Sequence, residues 1–323
     1  MQWLTSRPSD DRGAVAVLVA ILMVPLIGFA ALSIDIAAMH ADRQQLQIGA
    51  DAAALAIAQD CAMAMSTSSC GPNPVDTAQE YSEANKHDGN VDSRVSPVPR
   101  PSTGRVTVTN VSERQHWFAP VLGVNSTDIG ATSTAGWGAP VAGTANLPLV
   151  FSWCEFKIQT GGGLPSSTKE HTISLPKKSD TGCNGPSGNP VPGGFGWVDR
   201  DIEDGQLVCN VTSRIGEKLS SDPGKNVPCS AQDLANLRNA VVLLPIFNDA
   251  DGQGTNAWYQ VHGYAAFKIT GYFFGNQYSW NAPCSQPDHC IRGYFTRYID
   301  TSNDYEYSPT APNMGAVVVG LLP

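Results

Sequence analysis

The first candidate for chemistry in this chain is a short run of residues whose oxygens could bind a metal ion. Asn248-Asp249-Ala250-Asp251-Gly252-Gln253-Gly254 places several oxygens within one turn, as a hard cation such as Ca²⁺ requires. The EF-hand pattern is incomplete, because Gln253 stands where Asp or Asn is wanted and Gln260 where the bidentate Glu belongs. The favoured interpretation is a turn between strands. A calcium site at Asp249 and Asp251 is the alternative.

A second group could act on sugars. Asp199-Arg200-Asp201-Ile202-Glu203-Asp204-Gly205 concentrates carboxylates of the kind that glycoside hydrolysis uses. Four tryptophans could supply a glycan-binding face: Trp153, Trp197, Trp258 and Trp280. A solvated turn and core packing are the favoured interpretations of these two groups. Neither an HExxH pair, a GxSxG elbow nor a P-loop occurs, so the sequence predicts no enzyme and no cofactor.

The cysteines predict an oxidising environment. All eight follow the apolar N-terminal stretch, and no Cys-x-x-Cys occurs, which favours disulfides over a zinc or redox site. Eight cysteines permit 105 connectivities. Short spacing favours Cys61–Cys70 and Cys284–Cys290, with Cys209–Cys229 third, which leaves Cys154–Cys183. We expect the cysteine-containing part to lie outside the cytoplasm.

Charge and composition exclude one class of partner. The net charge is -9, and the chain contains no cluster of Lys and Arg, whereas a nucleic-acid-binding protein needs a basic face. The charged fraction is only 15%, and 31 glycines with 23 prolines favour turns and loops over long helices beyond the N-terminal region.

The element that must position everything else is an apolar stretch near the N-terminus. Residues 13–34 carry no charge, and Ser33 is their only polar side chain. As a helix these residues measure about 33 Å, enough to cross a hydrocarbon core of roughly 30 Å. They exceed the apolar region of a signal peptide, so we expect one transmembrane helix. The cysteines beyond it, more than the slight positive charge before it, predict a cytoplasmic N-terminus.

The helical pattern continues beyond the membrane. A stripe with heptad spacing follows one face, broken by Arg43: Leu32, Ile36, Met39, Leu46, Ala50, Ala53 and Ile57. The favoured interpretation packs this stripe on the protein's own globular part, and the alternative packs it on a partner helix. Two carboxylates on this helix, Asp35 at the lipid boundary and Asp51, are expected to be solvated or to contact a partner.

The N-terminal region resembles a known family. Arg12-Gly13-Ala14-Val15-Ala16-Val17, the apolar span, Asp35, and then Gln44-Gln45-Leu46-Gln47 leading to Ala50-Asp51-Ala52-Ala53-Ala54-Leu55-Ala56 are similar to TadE/TadG-like proteins of tight-adherence, Flp-type pili. Processed pilin-like members carry a Glu where this chain has Leu18. The resemblance is therefore to the uncleaved, larger TadG-like members, and it implies a structural role in pilus assembly.

The remaining pattern predicts an α+β fold. We expect a tail over 1–12, the transmembrane helix over 13–34, an extracytoplasmic helix over 35–65, a small α+β module over 66–145 and a β-rich, disulfide-bonded domain over 146–323. Within these, Gln115 to Leu122 is predicted as a short helix, Leu149 to Ile158 as a strand, and Ser230 to Arg238 as a capped helix.

These observations predict a membrane-anchored structural or assembly component of a tight-adherence pilus, minor-pilin-like, in the cell membrane. Its expected partners are the lipid bilayer, other single-span pilus components and the assembly machinery. The partner-helix face would comprise a set of residues on the extracytoplasmic helix: Ile36, Met39, Leu46, Ala50, Asp51, Ala53 and Ile57. The alternative function is an anchored envelope module that binds or hydrolyses glycans.

Overall fold

The structure is a computed structural model. It describes residues 11–64, 69–71, 73–175, 182–223, 227–275 and 277–323, with side chains from residue 15 onward. Two compact units are present. The first contains the described residues up to Ala54 with Val75–Ser96 and Thr107–Ser133, and the second contains Leu55–Pro74, Pro97–Val106 and Thr134–Pro323. Each unit therefore combines stretches that are distant in the sequence.

The longest element is the helix α1, Asp11–Met63. Among the described residues it is the one helix long and apolar enough to cross a membrane, and its apolar window has a mean hydropathy of 2.8. Every side chain from Val15 to Ala30 is exposed. Such a surface is unfavourable in water and favourable in lipid. The predicted long apolar helix that continues past the span is confirmed.

The first unit adds a second helix and a small sheet to α1. These elements are α2 (Pro74–Asn85), β1 (Asp92–Ser96), β2 (Arg105–Gln115), a 3₁₀ turn (Ala119–Leu122) and β3 (Ser126–Ala145). Strands β1 and β2 pair antiparallel with Val95 opposite Val108, and β3 is the next strand in the sheet. Along β2, Val108, Asn110 and Ser112 are buried and alternate with more exposed residues, as expected for a strand with one covered face.

The predicted helix from Gln115 to Leu122 is wrong. Strand β2 runs to Gln115, and only one 3₁₀ turn follows, because Pro120 has no N–H to donate and Gly123 ends the turn with a positive φ of 86°.

The second unit is rich in strands. After β3 come β4 (Leu149–Ser152), α3 (Trp153–Thr160), β5 (His171–Leu175), β6 (Phe195–Trp197), β7 (Ile202–Glu203), β8 (Gln206–Leu207), β9 (Val211–Arg214), β10 (Lys218–Ser220), α4 (Ala231–Asn236), β11 (Val241–Asp251), a 3₁₀ turn (Gly254–Asn256), β12 (Trp258–Phe273), β13 (Ser279–Trp280), β14 (His289–Thr296), β15 (Tyr298–Asp300), β16 (Tyr305–Ser308) and β17 (Ala316–Leu322).

Two groups of strands organise this unit. The first is an eight-stranded sheet in the order β5-β14-β12-β11-β4-β6, with β10 and β13 also paired to β12. The second forms around residues 134–145 of β3, which pair antiparallel with β17, β16 and β9, while β15 lies parallel to β17. The α+β class with a β-rich, disulfide-bonded part is confirmed, and the contiguous boundaries at residues 65 and 145 stay a prediction.

Aromatic rings fill the core of the second unit. Phe151 packs against Phe195, Phe267 and Phe295 with ring centroids 6.3, 4.7 and 5.6 Å apart, and all four side chains are buried. Edge-to-face and tilted contacts of this kind add stability beyond the area they bury.

Capping hydrogen bonds determine where two helices of this unit begin. The predicted strand from Leu149 to Ile158 ends at Ser152, because the Ser152 hydroxyl accepts the N–H of Cys154 at 3.0 Å and starts α3. The predicted capped helix after Ser230 is confirmed as α4, where Ser230 and Asp233 form a reciprocal capping box.

Candidate functional site

The candidate site lies in the first unit, where the end of the apolar stretch of α1 meets the chain after β2. Asp35 faces this segment and is only 5% exposed. Its carboxylate accepts the backbone N–H groups of Trp117 at 2.9 Å, Phe118 at 3.0 Å and Ala119 at 2.8 Å. Asp35 is therefore not solvated but accepts three backbone donors of its own chain.

These hydrogen bonds favour the ionised form of Asp35. Burial raises the pKa of its carboxyl, but the N–H groups of Trp117, Ala119 and Phe118 together lower that pKa more, so the net shift is downward. The carboxylate is thus ionised at neutral pH and remains a strong acceptor for the three donors.

An apolar segment follows these donors. We call residues 117–124 the apolar loop: Trp117, Phe118, Ala119, Pro120, Val121, Leu122, Gly123 and Val124. Part of this loop and part of α1 line a cavity of about 360 Å³: Pro25, Phe29, Leu32, Phe118, Val121 and Leu122. The loop therefore lies beside the apolar stretch of α1 rather than beside its polar continuation.

An arginine lies next to the apolar loop. The Arg114 side chain forms a 3.2 Å ion pair with Asp42, which lies about two helical turns beyond Asp35 on the same face of α1. Its guanidinium also lies 5.1 Å from the centroid of the Trp117 ring, within cation–π range. Arg114 thus links α1 to the start of the apolar loop.

A buried polar network holds the rest of the first unit together. The Asn110 amide donates to the Leu46 carbonyl oxygen at 3.1 Å, and its carbonyl oxygen accepts the hydroxyls of Ser82 at 3.0 Å and Ser93 at 2.8 Å. One side chain on β2 thereby connects α1, α2 and β1. Nothing in the spacing of the sequence pointed to Asn110.

The structure divides the predicted partner-helix face. Leu46, Ala50, Ala53 and Ile57 are buried within the protein. Leu46 packs with Val91, Ile129 and Ala131 of the first unit. Asp51 is half-buried and accepts the Gln47 amide at 2.8 Å.

The open part of the predicted face is its membrane-proximal end. Ile36 is 55% exposed and Met39 is half-buried. Both line a groove of about 260 Å³ together with Asp128 and Gly130.

A further apolar stripe on α1 is exposed and was missed by sequence reasoning. It consists of Ile34, Ala37, Ala41 and Ile48. At 100° per residue these four lie on the side of the helix opposite Asp35, Leu46 and Ala53, which are buried. Their spacing by threes, fours and seven is the signal that could have identified this stripe.

The candidate calcium ligands lie together on β11. Asp249 accepts the Asn189 amide at 3.1 Å, and Asp251 accepts the N–H of Gly252 at 2.7 Å. Within the described residues, no group of three or more His, Cys, Asp or Glu side chains is placed to hold a metal ion. Calcium binding at Asp249 and Asp251 stays a prediction.

The carboxylates and tryptophans considered for glycans do not form one surface. Asp201 accepts the Thr212 hydroxyl at 2.7 Å and Glu203 accepts the Asn210 amide at 3.0 Å, next to the small β7–β8 ribbon. Trp197 is buried against Phe195 and Phe274. Trp153, Trp258 and Trp280 are half-buried, and each packs against a different neighbour: Phe156, Lys218 and Tyr272.

All eight cysteines are paired. The disulfides are Cys61–Cys70, Cys154–Cys183, Cys209–Cys229 and Cys284–Cys290. These are the same four pairs that the spacing favoured.

Comparison with known proteins bears on the region of the candidate site. No curated protein and no solved structure matches the chain. One protein family does, and the matched region includes the apolar stretch of α1, Asp35, Asp42 and the helix up to the residue before Cys61. Residues 13–60 match the sequence model of the Flp pilus-assembly TadE/G-like family, so this part of the chain is similar to that family.

Proposed function

We propose that this protein is a membrane-anchored structural or assembly component of a tight-adherence pilus apparatus, resembling a minor pilin. The observation that carries the proposal is the match to the pilus-assembly family over residues 13–60, which coincides with a helix whose side chains from Val15 to Ala30 are all exposed. A helix of this kind is suited to lie in lipid and to pack against other single-span helices.

The proposed topology places the N-terminus in the cytoplasm and the sheets outside the membrane. Four disulfides support this orientation, because cytosolic thiols are kept reduced. The protein acts as scaffold rather than catalyst in this proposal, which agrees with the assembly role of the matched family.

The proposed contact with other pilus components uses the membrane-proximal part of α1. Ile36 and Met39 border an open groove, whereas Leu46, Ala50, Ala53 and Ile57 are already buried and have no surface left for a partner. A partner helix entering near Ile36 would meet apolar side chains together with the polar His40, Arg43 and Asp128, which line the same groove.

Photo-crosslinking in cells that assemble pili tests this proposal. A crosslinker at Ile36 or Met39 should capture another single-span pilus component, and one at Ile202, which is exposed on β7 of the second unit, should not. Deletion of the protein should also abolish surface fibres. Normal fibres without the protein would contradict the proposal, and so would equal capture from positions 36 and 202.

The glycan alternative makes a different prediction. If the protein bound or cleaved envelope glycans, residues 66–323 would sediment with cell walls or release sugar even in cells without pilus components.

A further inference from the structure

The apolar loop is unusual for a segment in water. Its eight consecutive residues have no charged side chain, and Val121 is 89% exposed, Leu122 69% and Trp117 65%. A soluble domain gains stability by burying such side chains, and scattered single exceptions are common, but a contiguous exposed group marks a contact surface.

The position of the loop along α1 indicates what it contacts. Its side chains line a cavity with Pro25, Phe29 and Leu32, which lie three to ten residues before Asp35. At 1.5 Å per residue the loop therefore reaches about 5–15 Å from Asp35 toward the N-terminus. That stretch is half of the apolar span, so a bilayer around the span also surrounds the loop.

Most backbone N–H groups of the apolar loop already have a hydrogen-bond acceptor within the protein. Asp35 accepts the N–H groups of residues 117–119, and Pro120 has none. The N–H groups of Val121, Gly123 and Val124 donate to Phe118, Pro120 and Ala119 carbonyls at 3.2, 3.0 and 3.3 Å. An unpaired backbone group costs several kcal/mol in lipid, so these hydrogen bonds lower the cost of bringing the loop into the edge of the bilayer.

The residues at the start of the loop fit the membrane interface. Trp117 presents an amphipathic ring, and Arg114 lies over it while paired with Asp42. Tryptophan is enriched at the level of the lipid headgroups, with the apolar ring toward the acyl chains.

We propose that the apolar loop inserts into the lipid leaflet at the Asp35 end of the span. There it forms a second membrane contact beside α1 and is held to the helix by Asp35. The inference rests on the membrane span of the proposed function. Two points of insertion, unlike a single helix, resist rotation of the first unit about the axis of α1, so the groove at Ile36 and Met39 keeps a fixed direction in the membrane plane.

Lipid quenching of a fluorophore tests the insertion. Full-length Val121→Cys carries a polarity-sensitive dye in phosphatidylcholine–phosphatidylglycerol vesicles that contain lipids with quenchers on their acyl chains. Leu22→Cys serves as the control within the span, and Ile202→Cys as the exposed control in the second unit. Mass mapping first establishes that each labelled protein keeps its four disulfides.

The expected result is roughly twofold or stronger lipid quenching at positions 121 and 22 and none at 202, where only aqueous iodide should quench. Lipid quenching at 22 combined with iodide quenching at 121 overturns the insertion and leaves the anchor intact. Protection of position 121 from both quenchers also overturns it, since another protein chain would then cover the loop. Absence of lipid quenching at position 22 removes the anchor and the insertion together.

Discussion

At the scale of single residues, Asp35 has the most consequential position in the first unit. A carboxylate at the end of an apolar span would be expected to seek water or a cation. It instead accepts three backbone N–H groups, which have no other acceptor in the turn that they begin. One charge therefore fixes where the apolar loop attaches to α1.

Replacing Asp35 tests this attachment. Asp35→Asn keeps the size of the side chain but removes the charge and one acceptor oxygen, so the amides of residues 117–119 should lose most of their hydrogen-exchange protection. Asp128→Asn, at an exposed carboxylate of the same unit, is the matched control and should leave these amides protected. Unchanged protection in Asp35→Asn would show that the loop is held by apolar contacts alone.

The buried hydroxyl of Tyr264 predicts how the stability of the second unit depends on pH. Its hydroxyl is buried and donates to the Ser213 carbonyl oxygen at 2.6 Å, and burial raises the pKa of Tyr264 to about 12. A tyrosine in an unfolded chain has a pKa of about 10. The unfolded state thus loses its proton first, so the stabilisation is complete below pH 10 and falls by about 3 kcal/mol as pH rises to 12.

Denaturant unfolding across this pH range measures the effect. Tyr264→Phe cannot ionise, so its stability should fall less steeply than that of the wild type. Besides burial, Tyr264 is one of the groups that raise the pKa of Tyr305, and their ring centroids lie 5.7 Å apart, so the comparison measures the contribution of Tyr264 together with its coupling to Tyr305. Parallel curves for the two proteins would exclude Tyr264 as a source of the alkaline loss.

At the scale of elements, α1 and α2 approach closely at one glycine. A Cβ added to Gly49 would lie 3.0 Å from the Ser82 Cα, which is backbone and cannot move aside as a side-chain end can. Ser82 belongs to α2 and also takes part in the Asn110 network. The glycine therefore sets the distance between the two helices.

A larger residue at Gly49 should separate them. We expect Gly49→Leu to destabilise the first unit by about 2 kcal/mol, as over-packing of a tight contact does. Gly28→Leu is the control, because nothing lies within 4 Å of a Cβ added there. Thermal unfolding in detergent measures both, and equal midpoints would mean that the helices adjust without cost.

At the scale of the whole molecule, covalent links supplement hydrophobic packing. The four disulfides span 9, 29, 20 and 6 residues in sequence, so each closes a local loop. Local links restrict the unfolded chain within segments and leave the assembly of the sheets to hydrophobic packing.

Mass mapping without reduction should find these four pairs and no alkylated cysteine in protein taken from the membrane. Replacing Cys154 and Cys183 together with serine should cost about 3 kcal/mol, from the restriction that a loop of this length places on the unfolded state. Free thiols in the native protein would contradict the proposed extracytoplasmic placement as well as the pairing.

The sequence by itself determined the features that depend on neighbouring residues. Length and apolarity are local properties, so residues 13–34 and the helix beyond them were predictable, as were the short disulfides and the capping box at Ser230. The match to the pilus-assembly family also depends on a contiguous stretch, residues 13–60.

Tertiary structure decided the features that join distant parts of the chain. The acceptor at Asp35 and its donors at residues 117–119 are more than 80 positions apart, and Asn110 reaches Leu46 across 64. Whether a residue such as Ile48 or Leu46 is buried depends on which side of α1 the sheet covers, and the heptad pattern alone did not specify that side. The physical reason is that local pattern fixes hydrogen bonding within an element, whereas burial depends on the partner surface that folding brings to it.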